Sequence, residues 1–273
     1  MRWPGRGRTS ASWRALRGRA CGRPYPYHNL FRAEIRDPPS PAAHATMGSN
    51  LMTPDELTRW RQSERRRLVA AREALDAGTR ERARLRIDTH LERAFPGLVS
   101  ARLAFCWPVR GEYDARPLTE GLRSRGAVTA LPAVTAAGRP LEFRTWQPGV
   151  ALAAGPLGIP YPAASEPIVP TVILLPLIGW DAAGHRLGYG GGYFDRTLGA
   201  VEPRPTTIGV GYELGRIATI HPQPWDIPMD WVVTERGVYR RDGDALAFLG
   251  APRGGTPGAL ASPVCYADEI EPS

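Results

Sequence analysis

Thr171-Val172-Ile173-Leu174-Leu175 stands between Pro170 and Pro176 as an unbroken run of β-branched and leucine side chains. A strand with one wet face alternates apolar and polar residues. A continuous apolar run of this length reads instead as a strand covered on both faces, as in the interior of a parallel sheet. Working outward, further short strands read over 102–107, 127–131, 141–145, 207–211, 231–234 and 238–240, with a helical segment over 116–125. Strands alternating with helices predict an α/β sheet covered on both sides. The start of this region is marked by Thr53-Pro54-Asp55-Glu56. Thr53 is an N-cap, Pro54 suits the first turn, and Glu56 completes a capping box. Leu57, Trp60, Leu68, Ala71 and Leu75 then recur at helical spacing, and Arg61 and Arg65, four apart, share one face. A second helix, capped by Asp76 or Thr79, points Ala83, Ile87, Leu91 and Ala94 inward and stops at Pro96-Gly97.

Composition bounds the function. The chain has 273 residues and a net charge of +8, with no lysine, so every cation except histidine is an arginine. Residues 1–50 hold nine arginines against two acids, and the rest holds 26 arginines against 25 acids. The basic excess therefore belongs to an arm, and a near-neutral body argues against a nucleic-acid-binding core. Residues 1–52 read as an Arg-rich, disordered extension: a targeting segment, an electrostatic tether, or an extension ahead of a start at Met47 or Met52. Residues 246–273 read as a disordered tail, which leaves 53–245 as the folded domain. The most apolar run, Ile168–Ile178, carries two prolines and is too short to span a bilayer. Cys21, Cys106 and Cys265 fit no metal spacing, and nothing suggests a disulfide framework. The expectation is a cytoplasmic monomer.

Residues 186–196 read RLGYGGGYFDR. Such glycines let backbone N–H groups surround an anion, and the helix-compatible residues after them would present a helix N-terminus to it. Arg186 and Arg196 would add charge-assisted hydrogen bonds. A P-loop is excluded because it needs a lysine. The dinucleotide fingerprint is excluded because the strand ends near Leu175, well before Gly188. A solvated glycine hairpin is the plain alternative.

Asp181 to Arg196 closely resembles the signature of the 5-formyltetrahydrofolate cyclo-ligases. Trp107-Pro-Val-Arg-Gly-Glu112-Tyr-Asp114, Leu131-Pro132 with Leu141-Glu-Phe143, and Trp225-Asp226-Ile-Pro-Met-Asp230 before Trp-Val-Val-Thr-Glu235 are similar to further family landmarks in order and spacing. The resemblance covers about 55–240. It implies a three-layer α/β/α sandwich, Rossmann-like, with a mostly parallel central sheet. It also implies MgATP-dependent conversion of 5-formyltetrahydrofolate, possibly polyglutamylated in its natural form, to 5,10-methenyltetrahydrofolate with release of ADP and phosphate.

Carried over residue by residue, the resemblance sets Gly188, Gly190, Gly191 and Gly192 around the ATP phosphates. Tyr189, Tyr193 and Phe194 lie in the same loop, and Arg61, Arg65 and Arg186 are the nucleotide's cations. Trp107 and Glu112, with Tyr189 and Tyr193, take the folate. Asp195 and Asp226 take Mg²⁺, and Arg186, Tyr193 and Asp195 carry the catalytic roles. Plain alternatives stand beside these: a solvated helix face for Arg61 and Arg65, a helix cap for Asp195, a turn for Asp226, an exposed strand-end residue for Glu112. His185 and His221 match no strict motif. Three departures appear. Phe194 replaces a tyrosine, Arg61 stands where a lysine is usual, and Ile159-Pro160-Tyr161-Pro162 replaces an Ile-x-Glu-Pro element. A MgATP-dependent ligase for another formamide or carboxylate, and a non-catalytic folate binder, are the competing readings.

Overall fold

The computed structural model describes residues 52–155 and 158–252. The expected extension over 1–52, apart from Met52, lies outside the described residues. So does the expected tail beyond residue 252.

Helix α1 (Pro54–Glu73) begins with the expected capping box. The Thr53 side chain accepts from the Glu56 N–H, and the Thr53 N–H donates to the Glu56 carboxylate. Helix α2 (Ala77–Ala94) is capped by Asp76, whose carboxylate accepts from Thr79 N at 2.9 Å. There follow β1 (Arg102–Ala104), α3 (Arg116–Arg123), β2 (Val128–Ala133), β3 (Glu142–Thr145), β4 (Ala153–Ala154), β5 (Pro160–Tyr161) and β6 (Pro167–Ile168). The chain continues through β7 (Val172–Pro176), β8 (Gly179–Trp180), β9 (Arg186–Leu187), α4 (Tyr193–Leu198), β10 (Thr206–Val210), β11 (Trp231–Thr234), β12 (Gly237–Asp242) and β13 (Ala245–Gly250).

Nine strands form one sheet in the order β13-β12-β11-β10-β7-β1-β2-β3-β6. The TVILL run is thus the central strand. The five strands from β11 to β2 run parallel, and two antiparallel strands finish each edge. Successive side chains of a strand point to opposite faces. Leu103, Leu131, Leu174, Ile208 and Val233 accordingly enter one core with Ile87 and Leu91 of α2 and Leu118 and Leu122 of α3. Ala104, Ala130, Ile173, Leu175 and Val232 enter a second core with Leu198 of α4 and Trp180 of β8. This is the expected sandwich, although its second helical layer is one short helix completed by loops. α1 packs separately, setting Leu68 and Val69 against Ile178, Leu187 and Ile220.

Three expectations are corrected. The first strand ends at Ala104 rather than 107. Phe105 N still donates to Ala130 O, but Pro108 has no N–H to extend a ladder. Residues 246–250 belong to β13, not to a tail. Asp242-Gly243-Asp244 makes a hairpin turn with Gly243 at φ +58°, and Phe248 stacks on Tyr239 at 4.7 Å. In α1 the apolar stripe does not include Ala71, which is exposed; the buried position beside it is Arg72.

Candidate active site

Open parallel sheets bind ligands beyond the carboxyl ends of their strands. Here the end of β1 leads into the loop carrying Trp107 and Glu112. The end of β7 leads through the β8–β9 hairpin into the glycine loop, and the long segment after β10 carries Asp226. These segments enclose a cleft of about 720 Å³ lined by every residue assigned from the sequence: Arg61, Arg65, Trp107, Glu112, Arg186, Gly188 through Asp195, and Asp226. Ile159 and Tyr161, from the departing Ile-Pro-Tyr-Pro element, line it too. A second cavity, of about 690 Å³, lies along α1 and is lined by Arg61, Arg65, Arg66 and Arg110 with no acid among its lining residues. The two share Arg61, Arg65, Tyr189 and Gly190.

The glycine loop joins β9 directly to α4, so it does run from a strand into a helix N-terminus, though from a hairpin rather than the main sheet. Gly190 (φ +95°) and Gly192 (φ +62°) are in the left-handed region that favours glycine. A Cβ on Gly191 would meet the Tyr193 ring at 2.8 Å. Gly188 has neither constraint: its φ is ordinary and an added Cβ would touch nothing within 4 Å. Arg65 Nε donates to Gly188 O at 2.6 Å, which lays its guanidinium against Gly190. Burial, and then the nearby Arg61, lower the Arg65 pKa. Arg196 stacks over the Tyr193 ring at 5.2 Å.

Each of the two carboxylates is held by an arginine and a backbone N–H. Arg186 is buried. It donates to Asp195 Oδ1 at 2.8 Å and to Ile227 O at 3.0 Å, while Ile227 N donates to the same Asp195 oxygen at 3.1 Å. Burial lowers the Arg186 pKa, and Asp195 opposes that shift. Its guanidinium also lies 5.9 Å from the Phe194 ring, which itself packs on the second core. Arg61 Nη2 pairs with Asp226 Oδ2 at 2.5 Å and donates to His221 O, and Gln223 N donates to that Asp226 oxygen. Each carboxylate therefore has one oxygen tied to the protein, while its other oxygen accepts no hydrogen bond from the described residues. Among the described residues no three His, Cys, Asp or Glu gather around a point. Two carboxylates with free oxygens fit Mg²⁺, which keeps much of its shell as water and phosphate oxygen.

In the same cleft, the Glu112 side chain is buried and each of its oxygens accepts one hydrogen bond. Oε2 accepts from Val109 N at 3.1 Å and Oε1 from the Tyr189 hydroxyl at 2.9 Å. Burial raises the Glu112 carboxyl above its ordinary value, and Arg72 opposes the shift. Burial and the same carboxylate push the Tyr189 hydroxyl up to about 12. Trp107 is half-buried, with Arg116 stacked 4.7 Å above its ring and Trp146 edge-on at 5.7 Å. Cys106 also lines the cleft, and burial raises its thiol far above the neutral range, which leaves it inert.

Sequence reading missed two residues. Arg72 is only 2% exposed and faces Glu112; its signal was the spacing Leu68, Arg72, Leu75, which sets a charge into an apolar stripe. Trp225 is 65% exposed and lines the cleft, a large apolar ring left in water. His185 and His221 do not line either cavity.

The sequence model of the 5-formyltetrahydrofolate cyclo-ligase family matches residues 57–235. The 5-formyltetrahydrofolate cyclo-ligase of Escherichia coli K12 is 30% identical over 184 residues, covering 64% of this chain and 97% of that one. The solution structure of a 5,10-methenyltetrahydrofolate synthetase from Aquifex aeolicus aligns with a TM-score of 0.59 at 28% identity, over 68% of this chain and 96% of that one. A synthetase of the same name from Mycoplasma pneumoniae shares the fold, with a TM-score of 0.53 at 18% identity over 64% and 98% of the two chains. The chain belongs to the 5-formyltetrahydrofolate cyclo-ligase family and is an enzyme of the ligase class.

Proposed function

We propose that this chain uses ATP and Mg²⁺ to convert 5-formyltetrahydrofolate to 5,10-methenyltetrahydrofolate, releasing ADP and phosphate. One observation carries the reading: two cavities, one lined by four arginines and the other by Trp107 and Glu112, meet at the glycine loop. ATP phosphates suit the basic cavity and the loop's N–H groups. The flat pterin suits the other, with aromatic walls and a buried carboxylate facing its N–H donors.

The chemistry explains why both must converge. A formamide carbon is a poor electrophile and its oxygen a poor leaving group. Transfer of the γ-phosphoryl group to the formyl oxygen, with ADP departing, activates the carbon. The N10 lone pair then attacks that carbon, the N10 proton is lost, and the C–O bond breaks as phosphate leaves. Such transfers depend on positioning and charge neutralisation. Arg65, in reach of Gly188 and Gly190, is the cation for the phosphates. Asp195 and Asp226 would hold Mg²⁺, which supplies positive charge against the phosphate oxygens. Arg186, whose two Nη atoms donate to Ile227 O and Asp195, fixes Asp195 and adds positive charge beside the glycine loop. Arg61 does the same for Asp226 and the 220–226 segment. Tyr193 orders the loop's exit into α4 and faces the cleft with its ring.

The test is direct. Purified protein mixed with 5-formyltetrahydrofolate and MgATP should generate the methenyl chromophore, and omission of ATP should abolish it. A chromophore formed equally without ATP would exclude the proposed activation step.

A further inference from the structure

We propose that Arg72 and Tyr189 are positioning residues that fix the Glu112 carboxylate for the folate and tie its loop to the glycine loop. The inference rests on the folate reading of the Glu112 wall. Arg72 is a charged side chain buried at an inward position of α1, and such a group is kept only where its donors are satisfied. Its guanidinium gathers three separate segments: the 105–115 loop, Leu177 and the glycine loop. Nε donates to Arg110 O at 3.0 Å, Nη1 to Leu177 O at 3.0 Å, and Nη2 to the Tyr189 hydroxyl at 3.0 Å. The same Nη2 stands 3.7 Å from Glu112 Oε1. The Tyr189 hydroxyl passes its own proton on, donating to that Glu112 oxygen at 2.9 Å. Arg72, Tyr189 and Glu112 thus form one chain of donors ending at a carboxylate.

Each carboxylate oxygen accepts two hydrogen bonds. Glu112 gives one lone pair of each oxygen to the protein, through Val109 N and the Tyr189 hydroxyl, and keeps one for a ligand. The brace therefore leaves a two-point acceptor of set orientation, matched to neighbouring N–H donors on one edge of a flat heterocycle. It also makes the acceptor's orientation depend on Tyr189, whose backbone belongs to the glycine loop and which lines both cavities.

Calorimetric titration of the full chain with 5-formyltetrahydrofolate tests this. Tyr189→Phe removes only a hydroxyl from a residue that is 46% exposed, so the protein should still fold, melting only about 2–4 °C below wild type because Arg72 and Glu112 each lose one partner. Its folate dissociation constant should rise about tenfold, the loss of one hydrogen bond to a charged group. In a Glu112→Gln background the same change should add less than about twofold, because the brace then has no carboxylate to hold. Arg72→Met should weaken folate binding at least as much as Tyr189→Phe, and Arg72→Lys should recover part of the loss. Wild-type folate affinity in Tyr189→Phe, or an undiminished effect on top of Glu112→Gln, would overturn the brace whether or not the Arg72 variants fold. Failure of the wild-type protein to bind 5-formyltetrahydrofolate would instead remove the folate reading, and this inference with it.

Discussion

Gly188 differs from the other glycines of its loop in having no demand placed on it by the fold. Gly192 needs its left-handed φ, and an alanine there costs about 1–2 kcal/mol of backbone strain besides crowding Arg196. Gly188→Ala should leave the melting temperature unchanged yet raise the KM for ATP about tenfold or more, because on the proposed function the added methyl would intrude where a phosphate binds. Steady-state kinetics beside thermal melts separate the two cases; an unchanged KM in Gly188→Ala would remove that glycine from the nucleotide site. Glu112 gives a second expectation at this scale. Its folded pKa is raised above the ordinary 4.5 by burial, with Arg72 opposing. Its contribution to stability is therefore present below 4.5 and lost as pH rises through the folded value, so the ionised form is held at a cost in stability. If Glu112 is the folate acceptor proposed above, folate binding should weaken on acidification with a midpoint above 4.5. Glu112→Gln should abolish the step, and a titration showing the same step in both proteins would contradict the assignment. Most of these residues were legible in sequence because RLGYGGGYFDR concentrates rare features in a few positions. Arg72 was not. In a chain with no lysine and 35 arginines, one more arginine on a helix is easily passed over, and its only signal is its place between Leu68 and Leu75 in the apolar stripe. Arg186 was legible as a cation, but its commitment to Asp195 depends on Ile227, thirty-two residues after Asp195, meeting it in space.

Among the elements, the central strand was the most legible. Ile173, Leu174 and Leu175 are almost fully buried, two facing one core and one the other, as an unalternating run requires. The helix starts were equally plain, because capping is a local bond between residues three apart. The two-residue strands β4, β5, β6, β8 and β9 were invisible, since a period of two cannot be seen in two residues. That loss matters for the site. Without the β8–β9 hairpin the glycine loop looked remote from any strand, although Leu187 immediately precedes it. The β12–β13 hairpin was announced by Asp242-Gly243 but lay past the last apolar run of conviction. Element packing can be disturbed without touching the site. Ile87 of α2 is fully buried in the first core, against the face of the sheet opposite α4. Ile87→Ala should lower unfolding stability by about 2–5 kcal/mol in denaturant melts while leaving the KM for ATP and for folate within about twofold. A large KM change would show that the first core positions the site more directly than its packing indicates.

At the scale of the whole molecule, charge and fold are separate. The arginine excess sits in residues 1–50, while the family match spans 57–235 and the described domain starts at the capping box. A chain beginning at Met52 should therefore keep the turnover and melting temperature of the full chain; loss of either would give the arm a part in the enzyme. The body itself is organised so that the carboxyl ends of the parallel strands deliver the Trp107–Glu112 loop, the glycine loop and Asp226 to one cleft, beside a second cavity rich in arginine. The central claim is that these two cavities bring ATP and 5-formyltetrahydrofolate together at Gly188–Asp195. The most direct test measures methenyl product and inorganic phosphate in the same reaction, for the wild-type chain and for Asp195→Asn. The account predicts one phosphate released per methenyl formed, in the presence of ATP only, with both signals falling at least about a hundredfold in Asp195→Asn. Phosphate released without methenyl, or wild-type turnover in Asp195→Asn, would contradict it.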